Sequence, residues 1–132
     1  MAKTSKGKEI ILVIPNKVGT LARVSSVIAG AGVNINAILA RGEKSKAYFH
    51  IVVDRLMKAM NVLKKANYKV TNEDVILLEM ANKPGEMEKV ADKIAGAGID
   101  IKYVYGSVGG GKSFCVLKTD NDKKAMKVAG GK

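Results

Sequence analysis

Apolar and polar positions along the chain change period several times, and the changes outline its elements. Ile10-Ile11-Leu12-Val13-Ile14 is an unbroken apolar run stopped by Pro15, which predicts a strand. Asn16–Gly19 reads as a turn. Leu21, Val24, Val27, Ile28 and Ala31 then recur at helical spacing and form one apolar stripe. Gly30 and Gly32 end that helix, because glycine takes the left-handed conformation at a helix exit without a Cβ clash. Val33–Arg41 predicts a second strand, Gly42–Ser45 a turn and Ala47–Val53 a third strand. Leu56, Met60 and Leu63 mark a second helix after Asp54, a candidate N-cap, and Tyr68–Thr71 a short fourth strand.

The order then begins again at Val75. Shifted by 66 positions, Ile10–Ala66 aligns with Ile76–Lys132 without a gap. In the best stretch "IPNKVGTLARVSSVIAGAGVNINA" faces "MANKPGEMEKVADKIAGAGIDIKY", and ten of these 24 pairs are identical. The chain is a small domain copied once. Each copy reads β-α-β-β-α-β, the ferredoxin-like arrangement of an antiparallel sheet with both helices on one face, so the fold class is α+β. The expected organisation is a basic N-terminal tail at 1–7, a first unit at 8–72 and a second at 73–132. Thr71-Asn72-Glu73-Asp74 contains neither Gly nor Pro, so the fourth strand is expected to turn tightly into the next unit without a flexible linker. The second unit is truncated at its last strand, having no counterpart of Tyr68–Thr71. Its edge at Val75–Met80 is therefore expected to stand open, and open edges pair with other strands.

Ile10–Ile14, Val75–Leu78, Ala47–Val53 and Phe114–Leu117 are apolar almost throughout, as in strands covered on both faces. Units of this size sit near the lower limit for burying a sufficient core alone. Both facts lead to the expectation of a homodimer or larger assembly.

Charge adds less than it promises. Of 132 residues, 23 are basic and 12 acidic, a net charge of +11. Residues 1–66 hold 12 basic and 3 acidic residues (+9), and residues 67–132 hold 11 and 9 (+2). Most of the basic residues are lysines spread singly, which reads as a solvated surface and argues against nucleic acid. Binding of an anionic polymer through the basic first unit stays open. Cys115 is the single cysteine, so no internal disulfide can form, and a buried thiol in a reducing, cytoplasmic setting is expected. The run Ile10–Ile14 is too short for a signal-peptide core, and no run approaches membrane-spanning length.

Catalysis finds no support. Gly106-Ser107-Val108-Gly109-Gly110-Gly111-Lys112-Ser113 matches the phosphate-loop pattern, but such a loop needs a helix after it. Here Phe114-Cys115-Val116-Leu117 follows, a strand, and the repeat aligns Val108–Lys112 with the hairpin bend at Gly42–Lys46. His50 aligns with Val116 and reads as an ordinary strand position. One Cys and one His make no metal set, and no cofactor is implied. Tyr48 and Phe49 are adjacent, so they point to opposite faces and form no base-stacking platform.

What remains is a turn present in both copies, Asn16-Lys17-Val18-Gly19-Thr20-Leu21 and Asn82-Lys83-Pro84-Gly85-Glu86-Met87. Each leads from a first strand into a first helix. A structural role suffices for it, with Asn as an N-cap and Gly for close packing. The same geometry also suits a carboxylate, which free N–H groups at a helix start attract. This turn, followed by Gly-Ala-Gly and an apolar strand on a βαββαβ unit, resembles the ACT domain, a small regulatory module that binds amino acids. From about Glu9 onward the chain is similar to stand-alone tandem ACT proteins. The resemblance implies ligand sites at interfaces between units, using the first-strand-to-helix loop and the start of the second strand. Carried over, it implicates Asn16, Gly19, Thr20, Leu21 and Asn34, and in the second copy Asn82, Gly85, Glu86, Met87 and Asp100. Val18 stands where the family has proline, and Asp100 puts a carboxylate where the first copy has the Asn34 amide. The two sites are therefore not expected to be equivalent. The implied function is a non-catalytic amino-acid sensor acting on a separate enzyme or regulator. A structural or adaptor module without ligand is the alternative.

Overall fold

The computed structural model describes residues 2–130; Met1, Gly131 and Lys132 lie outside it, and with them the last pairs of the repeat and the extreme ends of the expected tail and second unit. Its elements are β1 (Lys3–Pro15), α1 (Thr20–Gly30), β2 (Ile35–Glu43), β3 (Lys46–Val53), α2 (Leu56–Lys65), β4 (Thr71–Ala81), α3 (Glu86–Gly96), β5 (Ile101–Gly109), β6 (Lys112–Thr119) and α4 (Asp122–Ala129). The chain divides into two compact units, Lys8–Glu73, and Met1–Gly7 together with Asp74–Lys132.

In the unit Lys8–Glu73, β1 and β2 both pair antiparallel with β3. Ile10 lies opposite Ile51, Leu12 opposite Phe49 and Ile14 opposite Ala47. These six side chains point to one face, where Val24 and Ile28 of α1 and Ala59, Met60 and Leu63 of α2 close over them. Burying each large side chain contributes about 1.5–3 kcal/mol, which is what holds so small a unit together. The odd positions of β1 point the other way. Among them Glu9 is fully buried, with its Oε1 3.0 Å from Nδ1 of His50. His50 is therefore the partner of a buried carboxylate rather than an ordinary strand residue. The second copy carries Val75 and Val116 at these positions, both buried.

The other unit repeats the plan, with β4 and β5 flanking β6. Ile76, Leu78 and Met80 meet Val90 and Ile94 of α3 and Ala125 and Ala129 of α4. The edge expected to stand open does not. β1 begins at Lys3, seven residues before the apolar run, and β1 is the sheet neighbour of β4. Within this unit Gly7 lies so near Leu77 that a Cβ on it would come within 2.8 Å of the Leu77 Cγ. Thr4 Oγ1 donates to the Met126 carbonyl at 3.3 Å, and Ala2 packs on the core. Lys3–Gly7 thus supply the strand that the truncated copy lacks.

Three local expectations change. Tyr68–Val70 is not strand, and the tight turn expected at Thr71–Asp74 is absent, because β4 runs extended from Thr71 to Ala81. With no residue there that favours a left-handed turn, extended backbone continues into the apolar run. Asp54 does not cap α2; its Oδ1 accepts the Asn34 N–H at 2.9 Å, and Asp120 accepts that of Asp100 at 3.1 Å. The phosphate-loop match falls, as expected, on the β5–β6 hairpin, whose turn is Gly110-Gly111, so strand and not helix follows Lys112. The helix exits are also as expected, with Gly32 at φ +72° and Gly98 at φ +73°.

Candidate functional site

The turn between β1 and α1 is organised by Gly19. It sits at φ +86° as the residue before the helix, and Gly85 at φ +87° does the same before α3. A residue with a Cβ disfavours this conformation by about 1–2 kcal/mol, which explains why glycine stands there in both copies. Neither helix start has a side-chain cap. Asn16 is therefore not the N-cap. Its Nδ2 donates to the Lys44 carbonyl at 3.2 Å and its main-chain N–H to the Ser45 carbonyl at 2.8 Å, fastening the turn to the β2–β3 hairpin.

Thr20 is buried, and its hydroxyl donates to the Lys17 carbonyl at 2.7 Å while accepting the Lys17 N–H at 3.3 Å. Arg23 reaches back over the turn, its guanidinium 3.4 Å from the Val18 carbonyl and 3.4 Å from Thr20 Oγ1. Thr20→Val keeps the shape and removes all three hydroxyl bonds. It is expected to lower stability by about 1–2 kcal/mol in a urea melt.

Between this turn and the β2–β3 hairpin lies a pocket of about 290 Å³. Asn16, Gly19, Thr20 and Leu21 line one side of it, and Ala40, Gly42, Ala47 and Phe49 the other. The turn motif does not point to the second group. The alternation of a strand does, since Ala40, Gly42, Ala47 and Phe49 share one face and are mostly small. A Cβ at Gly42 would come within 2.6 Å of Asn16 Nδ2, so a larger residue there displaces the Asn16 amide. Arg41 also lines this pocket, and its guanidinium stands 4.4 Å over the Tyr48 ring. Asn34 is not in the pocket. It follows the exit of α1, an 11-residue helix away, with its Nδ2 donating to Asn36 Oδ1 at 2.9 Å.

A pocket of about 320 Å³ occupies the corresponding place in the second copy, with different chemistry. Of the residues implicated there, only Met87 lines it; Asn82, Gly85, Glu86 and Asp100 do not. Lys89 hydrogen-bonds the Glu86 carboxylate at 2.9 Å and holds its pKa below the usual value. The first turn of α3 carries both Glu86 and Glu88, whereas that of α1 has no acidic residue. The start of α1 is therefore the one suited to an incoming anion, and α3 already has carboxylates of its own. Cys115 borders the second pocket, and burial pushes its thiol pKa up, so it stays neutral. Among the described residues no three His, Cys, Asp or Glu side chains gather as a metal set, and no helix is long and apolar enough to cross a membrane.

Two βαββα runs, each with a left-handed glycine opening its first helix, define a tandem α+β architecture. Residues 7–130 match the family described as an ACT domain pair, and the chain belongs to that family. Among solved structures, protein BT0572 from Bacteroides thetaiotaomicron is similar at 25% identity and a TM-score of 0.90, over 95% of this chain and 87% of that one. The regulatory subunit of aspartate kinase from Thermus thermophilus, in its ligand-free form, shares the fold at 15% identity and a TM-score of 0.72, over 97% and 93%. E. coli aspartokinase III in complex with lysine and aspartate shares it at 13% identity and a TM-score of 0.58, over 96% of this chain and 31% of that one. No curated protein matches the sequence.

Proposed function

We propose that this ACT domain pair is a non-catalytic sensor of a small carboxylate-bearing metabolite, most simply an amino acid, held in the pocket of the first copy. One observation carries the reading: α1 starts without a side-chain cap or an acidic residue, and its start borders a pocket edged by Asn16 and Thr20. The first N–H groups of a helix have no intrahelical acceptor, and the positive end of the helix favours an anion. Relatives in fold support the class of ligand, since one is an aspartokinase in complex with lysine and aspartate.

A thermal-shift screen of the common amino acids tests the reading. A ligand at one hundred times its Kd stabilises by about 2.7 kcal/mol, worth several degrees in melting temperature. No shift with any of them sinks the proposal. Asn16→Ala is expected to weaken the ligand found about tenfold, because hydrogen bonds to charged groups are worth about 1.5–3 kcal/mol. Since Asn16 caps no helix, unchanged affinity in this variant would remove it from the site.

The output of the sensor is association with another protein, and the chain itself is proposed to be a homodimer or larger. Val18, Leu21 and Ile38 are exposed apolar side chains beside the pocket, at 100%, 49% and 38% exposure. Leaving apolar surface wet costs about 25 cal/mol per Å². Light scattering is expected to report a dimer or larger at low micromolar concentration, and a well-folded monomer would contradict it. The same rim favours one other reading, an adaptor that makes these protein contacts without a ligand. The amino-acid screen separates the two.

A further inference from the structure

The second pocket holds the same place in the repeat as the first, but its walls are different. Met87 stands where the first copy has Leu21, Cys115 where it has Phe49, and Val108 where it has Gly42. Gly106 forms the floor, and a Cβ there would meet Cys115 Sγ at 2.7 Å and the Phe114 carbonyl oxygen at 2.5 Å. Three sulfur-bearing residues, Met80, Met87 and Cys115, line the space, and no charged residue lines it among the described residues. Thioether sulfurs make favourable contacts with aromatic rings, of about 0.3–1.5 kcal/mol each. The Glu86 and Glu88 carboxylates at the start of α3 disfavour an anion nearby.

We propose that this pocket binds a small uncharged aromatic ring. The first copy supplies such a ring from its own chain, as buried Phe49; in the second, where Cys115 replaces it, the ring comes from the ligand. Ser113, whose side chain shares the face of Cys115, offers the ring's polar substituent a hydrogen bond. The pocket's volume lies at the lower end of the range for small-molecule sites, about 300–1,000 Å³. This inference stands on the second pocket alone and does not depend on what the first one binds.

The test is an NMR titration of the full chain, with isotope-labelled methionine methyls, using indole as the probe. Indole is expected to shift the Met80 and Met87 methyl signals saturably and to leave Met57 and Met60, in the other unit, in place. Met87→Glu, at a position already 37% exposed, is expected to leave folding intact. It should weaken indole at least about tenfold, since a charge would then border the bound ring. Cys115→Phe, the first copy's residue, is expected to abolish the shifts by filling the wall, and Met87→Glu carries the test if that variant does not fold. Absence of saturable shifts, equal binding of anionic benzoate, or unchanged affinity in Met87→Glu would each overturn the proposal. An amino-acid response at Gly19 and Thr20 is read from separate amide signals, so the two pockets fail or hold independently.

Discussion

His50→Val is expected to destabilise the protein by about 3 kcal/mol, and adding Glu9→Val is expected to recover most of that loss. Glu9 is fully buried and its Oε1 lies 3.0 Å from the His50 ring. Losing a hydrogen bond to a buried polar group costs about 1–3 kcal/mol, and more when that group is charged. Replacing both with apolar side chains is often neutral or stabilising. The repeat supplies the control within the same chain. At the corresponding positions Val75 and Val116 are buried to 1% and 0% exposure, so an apolar pair fits this place in the fold. Urea melts of the single and double variants decide the matter. A single variant as stable as the parent would show that the pair contributes little to holding the sheet.

Gly42→Val is expected to reduce affinity at the first pocket about a hundredfold, equivalent to about 2.8 kcal/mol at 1.4 kcal/mol per tenfold. A Cβ at Gly42 would come within 2.6 Å of Asn16 Nδ2 and 3.1 Å of its Oδ1. Asn16 must then leave the Lys44 carbonyl, and the valine methyls enter the space a ligand would take. Stability should change little by comparison, because Val108 occupies the same hairpin position in the second copy. A calorimetric titration of a ligand found by the amino-acid screen checks this. Unchanged affinity would place the ligand elsewhere.

Much of the fold is legible in the sequence because its signals are local and occur twice. The stripe Leu21, Val24, Ile28 and the Gly-Ala-Gly exits mark the first helix of each copy, and the strand run Phe114–Leu117 together with the repeat assigns the phosphate-loop match to a hairpin. Lys3–Gly7 are not legible, for a physical reason. Lys3-Thr4-Ser5-Lys6-Gly7 has no large apolar side chain, so its place beside β4 rests on backbone pairing, which leaves no hydrophobic pattern to read. Glu9 is hidden in the same way, as a charged residue at the end of a basic stretch that turns out to be buried.

The candidate site is only half visible. The turn motif leads to Asn16, Gly19, Thr20 and Leu21, which do line one pocket. Reading Asn16 as a cap fails because a left-handed glycine can open a helix by itself, leaving the Asn amide to reach the hairpin instead. Ala40, Gly42 and Ala47 shape the opposite wall by being small, a property that no chemical motif announces. Met87 lines the second pocket without its expected neighbours, because Glu86 is turned to Lys89.

The central claim is that an amino acid occupies the first pocket at the start of α1. A two-dimensional amide NMR titration of the whole chain tests it most directly, using whichever amino acid raises the melting temperature. The expected result is saturable shifts concentrated at Asn16–Ala22 and Ala40–Gly42, with the same affinity as the thermal response. Saturable shifts confined to other residues, or none at all with any common amino acid, would contradict it.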